Sequence, residues 1–139
     1  MNAVIDAVQA ALAAEHAAVY GYGVVGGHLT GGRQTEAQQG YDAHRARRDS
    51  LARTVADLGA SPVTTAAGYE LPFAVSDAAA AERLAAYVEE RVAGAYGDVV
   101  RSAIGDLRRD AAGAMRDAAV RAVRWRGGSV AFPGLAEFG

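Results

Sequence analysis

Apolar residues recur at steps of four and three from Val4 to Leu29: Val4, Val8, Ala11, Ala18, Tyr22, Val25 and Leu29. That alternation lays one continuous stripe along an α-helix, and the stripe has to be covered by other elements of the same chain. The pattern returns three more times. A second block, about Gln34 to Leu58, carries Leu51, Val55 and Leu58. A third opens at Ser76 or Asp77, either of which suits an N-cap, and carries Leu84, Val88, Val92, Ala95 and Val99. A fourth covers about Asp106 to Arg126, with Leu107, Ala111, Ala114, Ala118, Ala122 and Trp125. The chain therefore reads as all-α, a single domain over residues 1–139 built from four helices.

The breaks between blocks define how the helices can be joined. Gly31-Gly32 ends the first block and Gly59 is placed to cap the second. Near Gly105 the third and fourth blocks separate, with one long kinked helix as the alternative. The first and last connections are short, so each joins neighbours that run antiparallel. Residues 60–76 contain Pro62, Gly68 and Pro72 and have no helical period. This stretch is long enough to travel the length of a helix pair, since a helix of ~25 residues spans ~38 Å. Two antiparallel hairpins joined by one long crossover are expected. Tyr69, Leu71, Phe73 and Val75 should pack the crossover back onto the helices, and the apolar tail at about 127–139, Val130 to Leu135, should dock on them too.

Composition excludes several chemistries. There is no cysteine, so disulfides, thiolate nucleophiles and zinc–thiolate centres are out. There is no lysine, which removes Schiff-base chemistry. A net charge of −2, from 14 basic and 16 acidic residues, offers no basic face for nucleic acid. No stretch has the length of a membrane span and the first residues do not read as a secretory signal, so a cytoplasmic location is expected. No phosphate-binding loop, nucleophile elbow or dinucleotide fingerprint occurs.

What remains is a set of ionisable residues on the inner stripes. Glu15 stands in register with Ala11, Ala18 and Tyr22. A carboxylate there costs several kcal/mol unless it is paired or bound to a cation. Counting back from Leu51 brings Arg48, His44 and Tyr41 onto the inner face of the second helix. Glu89 lies in line with Val92, Tyr96 and Val99 on the third, and Asp117 lies one step off the stripe of the fourth. All sit near helix midpoints, which antiparallel packing brings level. A buried polar layer of Glu15, His44, Arg48 and Glu89, with Tyr41 and Asp117 beside it, is the expectation. Gly21, Gly23, Gly26 and Gly27 suggest a close helix contact toward the end of the first helix. His16 is expected on a flank and His28 in solvent.

These residues carry a resemblance. Ala14-Glu15-His16-Ala17-Ala18-Val19-Tyr20-Gly21-Tyr22-Gly23, Ala43-His44-Arg45-Ala46-Arg47-Arg48-Asp49, Tyr69-Glu70-Leu71-Pro72-Phe73, Ala119-Val120-Arg121-Ala122-Val123-Arg124-Trp125 and Ala131-Phe132-Pro133-Gly134-Leu135 together resemble the ferritin-like superfamily. Within it, the chain is similar to small alanine-rich domains of unknown function from high-GC bacteria. The resemblance implies a ferritin-like four-helix bundle and hardly any activity. Di-metal members supply a Glu from each of two helices and a Glu-x-x-His from each of the other two. Glu15 and Glu89 match the single-Glu slots. The second helix has Tyr41-Asp42-Ala43-His44, a tyrosine in place of the glutamate, and the fourth helix has no histidine. The resemblance thus points to a degenerate di-metal site, with the Arg48 guanidinium balancing carboxylates that metal would otherwise neutralise. A non-catalytic protein without cofactor, associating as a homodimer, is the expected function. The alternative is a single divalent metal on Glu15, His44 and Glu89, in an oxidoreductase or iron-handling protein. A third expectation is a small ligand beside Tyr22 and Tyr41.

Overall fold

The computed structural model describes residues 2–127. They form four helices, α1 (Ala3–Gly26), α2 (Gly31–Asp57), α3 (Ala78–Ser102) and α4 (Gly105–Gly127), with no strand among them. The expected docking of the apolar tail falls on residues 128–139, outside the described range.

Each helix starts and stops for local reasons. The Asn2 side chain accepts hydrogen bonds from the Val4 and Ile5 amides, and Asp77 accepts one from Ala80, so both helices open with a capped first turn. The α1–α2 junction departs from expectation. Gly31-Gly32 opens α2 instead of closing α1, which ends at Gly26. After α3 only Ala103 and Ile104 are non-helical, and Gly105 takes a φ of +63°, a conformation that suits glycine. The helix is thus interrupted here, and the single kinked helix does not form.

One apolar core runs through all four helices. It contains Val8, Ala11, Leu12, Ala18, Tyr22 and Val25 of α1, Leu51 and Val55 of α2, Leu84, Val88, Val92 and Val99 of α3, and Ala111, Ala114, Ala118 and Trp125 of α4. α1 packs against both α2 and α3, and α3 packs against α4. The stripe of α4 is alanine with a single large residue, Trp125, so α4 can lie close to α3 along its length. Leu58, expected on the inner stripe of α2, lies beyond the helix end and is exposed.

The crossover after α2 lies back on the helices, as its apolar residues suggest. Leu71, Phe73 and Val75 pack against the core, and Tyr69 meets Tyr20 of α1 with ring centroids 5.4 Å apart. Gln9 binds both Ser61 O, at 2.7 Å, and the Val63 amide, at 2.9 Å. His16 meets Val63 O at 3.1 Å, so this flanking histidine anchors the loop.

Candidate functional site

Three ionisable side chains are buried halfway along the helices, one each from α1, α2 and α3. Glu15 and Glu89 are both 0% exposed and His44 is 2% exposed. Their positions on the apolar stripes put them there, and an unpartnered charge would not be tolerated at such depth. The imidazole of His44 lies between the carboxylates. Nδ1 contacts Glu15 Oε1, and Nε2 lies 3.0 Å from both oxygens of Glu89. Two phenols complete the layer. Tyr96 donates to Glu15 Oε2 at 2.6 Å, and Tyr22 donates to Glu89 Oε2. The Trp125 indole N–H donates in turn to the Tyr22 hydroxyl at 2.9 Å. All four helices therefore contribute, and among the described residues no buried polar side-chain atom is without a partner.

This geometry sets the proton count. A neutral imidazole has one N–H, whereas both ring nitrogens here face carboxylate oxygens. A protonated His44 satisfies both contacts. Burial opposes the charge, but the hydrogen bonds to Glu15 and Glu89 and the charges of those carboxylates outweigh it, and the pKa is raised to about 9. Tyr22 and Tyr96 are shifted upward, first by burial and then by the adjoining Glu89 and Glu15 respectively, so both phenols remain donors.

Not every expected member belongs to this layer. Arg48 does not. It turns outward and binds Asp49, with Nη2 to Oδ1 3.0 Å and a side chain 28% exposed. A guanidinium on a long stem gains more by reaching water than by losing its hydration in the core, and the short imidazole supplies the internal positive charge instead. Asp117 likewise sits outside, 3.2 Å from Arg47 Nη2. Tyr41 is half-buried with Arg45 over its ring, and it makes no hydrogen bond to the layer. His28 is exposed at the end of α1, as expected.

Tyr22, Tyr96 and Trp125 all stand on the apolar stripes, where periodicity alone gives them a packing role. Their polar tips are a usable signal, since a buried tyrosine or tryptophan needs a partner for its O–H or N–H. Gly40 carries no such signal. A Cβ on Gly40 would lie 2.5 Å from Tyr22 Cε1, so its lack of a side chain is what admits the Tyr22 ring. Gly21 plays the same part against Val88, at 2.9 Å. Gly23 and Gly26, in contrast, have nothing within 4 Å of a Cβ, so they are not explained by close packing. They line a cleft of about 320 Å³ between α1 and α2 together with Tyr22, Gln34, Ala37 and Tyr41.

A divalent cation on His44 would need a ring lone pair, which the protonated imidazole does not offer. Every oxygen of Glu15 and Glu89 already accepts from a protein donor, both nitrogens of His44 are engaged, and α4 brings an indole to this level. Among the described residues no group of three or more His, Asp or Glu has a metal-holding arrangement. As arranged, His44 has both ring nitrogens engaged with carboxylates, so a cation on Glu15, His44 and Glu89 would require the imidazole to give up a proton and turn from one of its partners. Among the described residues, no helix is long and apolar enough to cross a membrane.

Comparison with known proteins places this chain in a family. Residues 7–137 match the family model described as Domain of unknown function (DUF4439). Among solved structures, the crystal structure of a conserved hypothetical protein, rv2844, from Mycobacterium tuberculosis is similar. It is 39% identical, over 90% of this chain and 96% of its own, with a TM-score of 0.87. No curated protein matches.

Proposed function

We propose that this chain, which belongs to the DUF4439 family, is a non-catalytic ferritin-like protein in which a proton-sharing polar layer stands where a metal centre would sit. The topology is supported by the pairings between helices. Moving forward along α1 from Glu15 to Tyr22 means moving back along α2, from His44 to Gly40, and back along α3, from Tyr96 to Glu89. Moving back along α3 from Gly97 to Glu90 means moving forward along α4, from Met115 to Arg126. Those pairings support a reading of α1/α2 and α3/α4 as antiparallel hairpins tied by the crossover, the ferritin-like arrangement.

The single observation that carries the reading is the complete satisfaction of Glu15, His44 and Glu89 by hydrogen-bond partners from within the chain. A protonated imidazole and two phenols supply positive charge and hydrogen bonds to the carboxylates in place of a coordinating cation. The layer is also sealed from solvent, so no substrate reaches it in this conformation. Its role is to fix which faces of the helices meet, a task for which buried polar groups are suited because any other register leaves them unpaired.

Metal analysis tests this. Protein purified without chelator should carry far less than one equivalent of iron, manganese or zinc. Added Mn²⁺, Fe²⁺ or Zn²⁺ should leave the melting temperature unchanged. A stoichiometric metal that is lost in Glu15→Gln would overturn the proposal in favour of a mononuclear site on Glu15, His44 and Glu89.

A further inference from the structure

Most of α1 has no charge to present to solvent. Asp6, Glu15 and His16 are its only acidic or basic residues. Glu15 is buried in the polar layer and His16 is bound to Val63 O, so from Ala10 to Gly26 the open side of α1 carries no charged group. A helix that is apolar all round belongs where other elements cover it all round. α2 and α3 cover two of its sides, and the crossover reaches it at Tyr20. What is left looks onto a groove of about 930 Å³ between α1 and α3. Ala10, Ala13 and Ala17 line it from α1, beside Tyr20 and Tyr87, which are 40% and 37% exposed.

α3 borders the groove with Tyr87, Arg91, Gly94 and Asp98, and Arg101 continues the row. These positions step by four and three, so they form one seam along the helix. Laid antiparallel against its own copy, the seam complements itself. Tyr87 meets Arg101, a cation–π pairing, Arg91 meets Asp98, and Gly94 meets Gly94. A two-fold axis requires this reciprocity, in which residue i contacts j and j contacts i. Among the described residues Arg91 has no acidic partner, and its guanidinium lies 5.8 Å from the centre of the Tyr87 ring. Nothing lies within 4 Å of a Cβ on Gly94, so two helix backbones can approach closely there. We infer that a second copy of the chain docks on this face, each α3 lying in the α1/α3 groove of the other, with Gly94 at the two-fold axis and Arg91 against the partner's Asp98. The alanines of α1 then face the partner helix, which covers the open side of α1. The two reciprocal charge pairs favour a second copy over an unrelated helix, and none of this depends on the polar layer.

Light scattering over a concentration series should show the native chain reaching twice the mass of one chain. Gly94→Trp blocks the approach of the backbones, and Arg91→Asp places like charges together on both sides of the axis. Each should be monomeric where the native chain is dimeric, with unchanged helical circular dichroism. Arg91→Asp combined with Asp98→Arg should restore the dimer. The chain has no cysteine, so Gly94→Cys should give a covalent dimer on mild oxidation. Arg116→Cys should not, since that exposed side chain belongs to α4, away from the groove. A native chain that stays monomeric at every concentration would overturn the inference. So would a dimer that survives Arg91→Asp, or a double variant that remains monomeric. If Gly94→Trp does not fold, Arg91→Asp decides, because its side chain is exposed.

Discussion

His44 and Arg48 stand one turn apart on α2, and the same spacing argument places both on its inner face. One is fully enclosed between two carboxylates, and the other pairs with its neighbour Asp49 at the surface. The difference lies in the side chains more than in the backbone. Imidazole is short, donates from opposite edges and can bridge two acceptors across a narrow gap. Guanidinium is permanently charged on a flexible stem, and from a position near the helix edge its head finds water at little conformational cost. The internal positive charge thus comes from the group that can acquire its proton from solvent as the protein folds. This ties the core to pH in a way that an arginine would not.

The largest effect should separate these two residues. His44→Ala leaves Glu15 and Glu89 buried without their shared cation, a loss of about 3–5 kcal/mol. Arg48→Ala removes an exposed pair and should cost less than about 1 kcal/mol. Urea unfolding of both variants measures the contrast, and equal costs would erase it. Next comes the pH dependence. His44 titrates near 6.5 in the unfolded chain and at about 9 in the fold, so the folded state binds the additional proton between those values. Its stabilisation is complete below pH 6.5 and is lost as pH rises through 9. Melting temperatures should fall across that window in the native chain and lose this component in His44→Gln.

Smaller effects report on how the layer is held. Tyr22→Phe removes a donor from Glu89 and strands the Trp125 N–H, so it should cost about 1–3 kcal/mol, more than Tyr96→Phe, which strands one acceptor. Denaturation of the pair gives the order, and a larger loss from Tyr96→Phe would contradict it. The smallest effect has opposite signs at two glycines. Gly40→Ala forces the new methyl against the Tyr22 ring, and overpacking of this kind outweighs the gain in helix propensity of about 1 kcal/mol. Gly23→Ala meets open space and should stabilise by about 0.4–1 kcal/mol. Thermal melts of both variants are sufficient, and a stabilising Gly40→Ala would show that the ring has room to move.

The helical blocks and the residues of the layer are legible in the sequence to different degrees. Glu15 and Glu89 can be found because a carboxylate interrupts an otherwise apolar stripe, and the periodicity states which face it is on. His44 emerges from counting back along α2. The phenols cannot be found the same way. Tyr22 and Tyr96 continue the stripe as any aromatic would, and only the placement of their hydroxyls against Glu89 and Glu15 reveals them as donors. Spacing puts Arg48 inside because it reports the direction of the Cβ, while a long charged side chain is free to leave in another. Gly31-Gly32 misleads for a related reason. Paired glycines mark a junction, but not which of two helices they belong to.

Local periodicity and capping are enough to mark the helical blocks, the regions where they break and the presence of charge at mid-height, and all three can be read along the chain. Which group neutralises that charge is a property of the packed bundle. It depends on distances of about 3 Å between side chains far apart in the chain, and no spacing along one helix encodes how a ring from α2 will lie between carboxylates from α1 and α3.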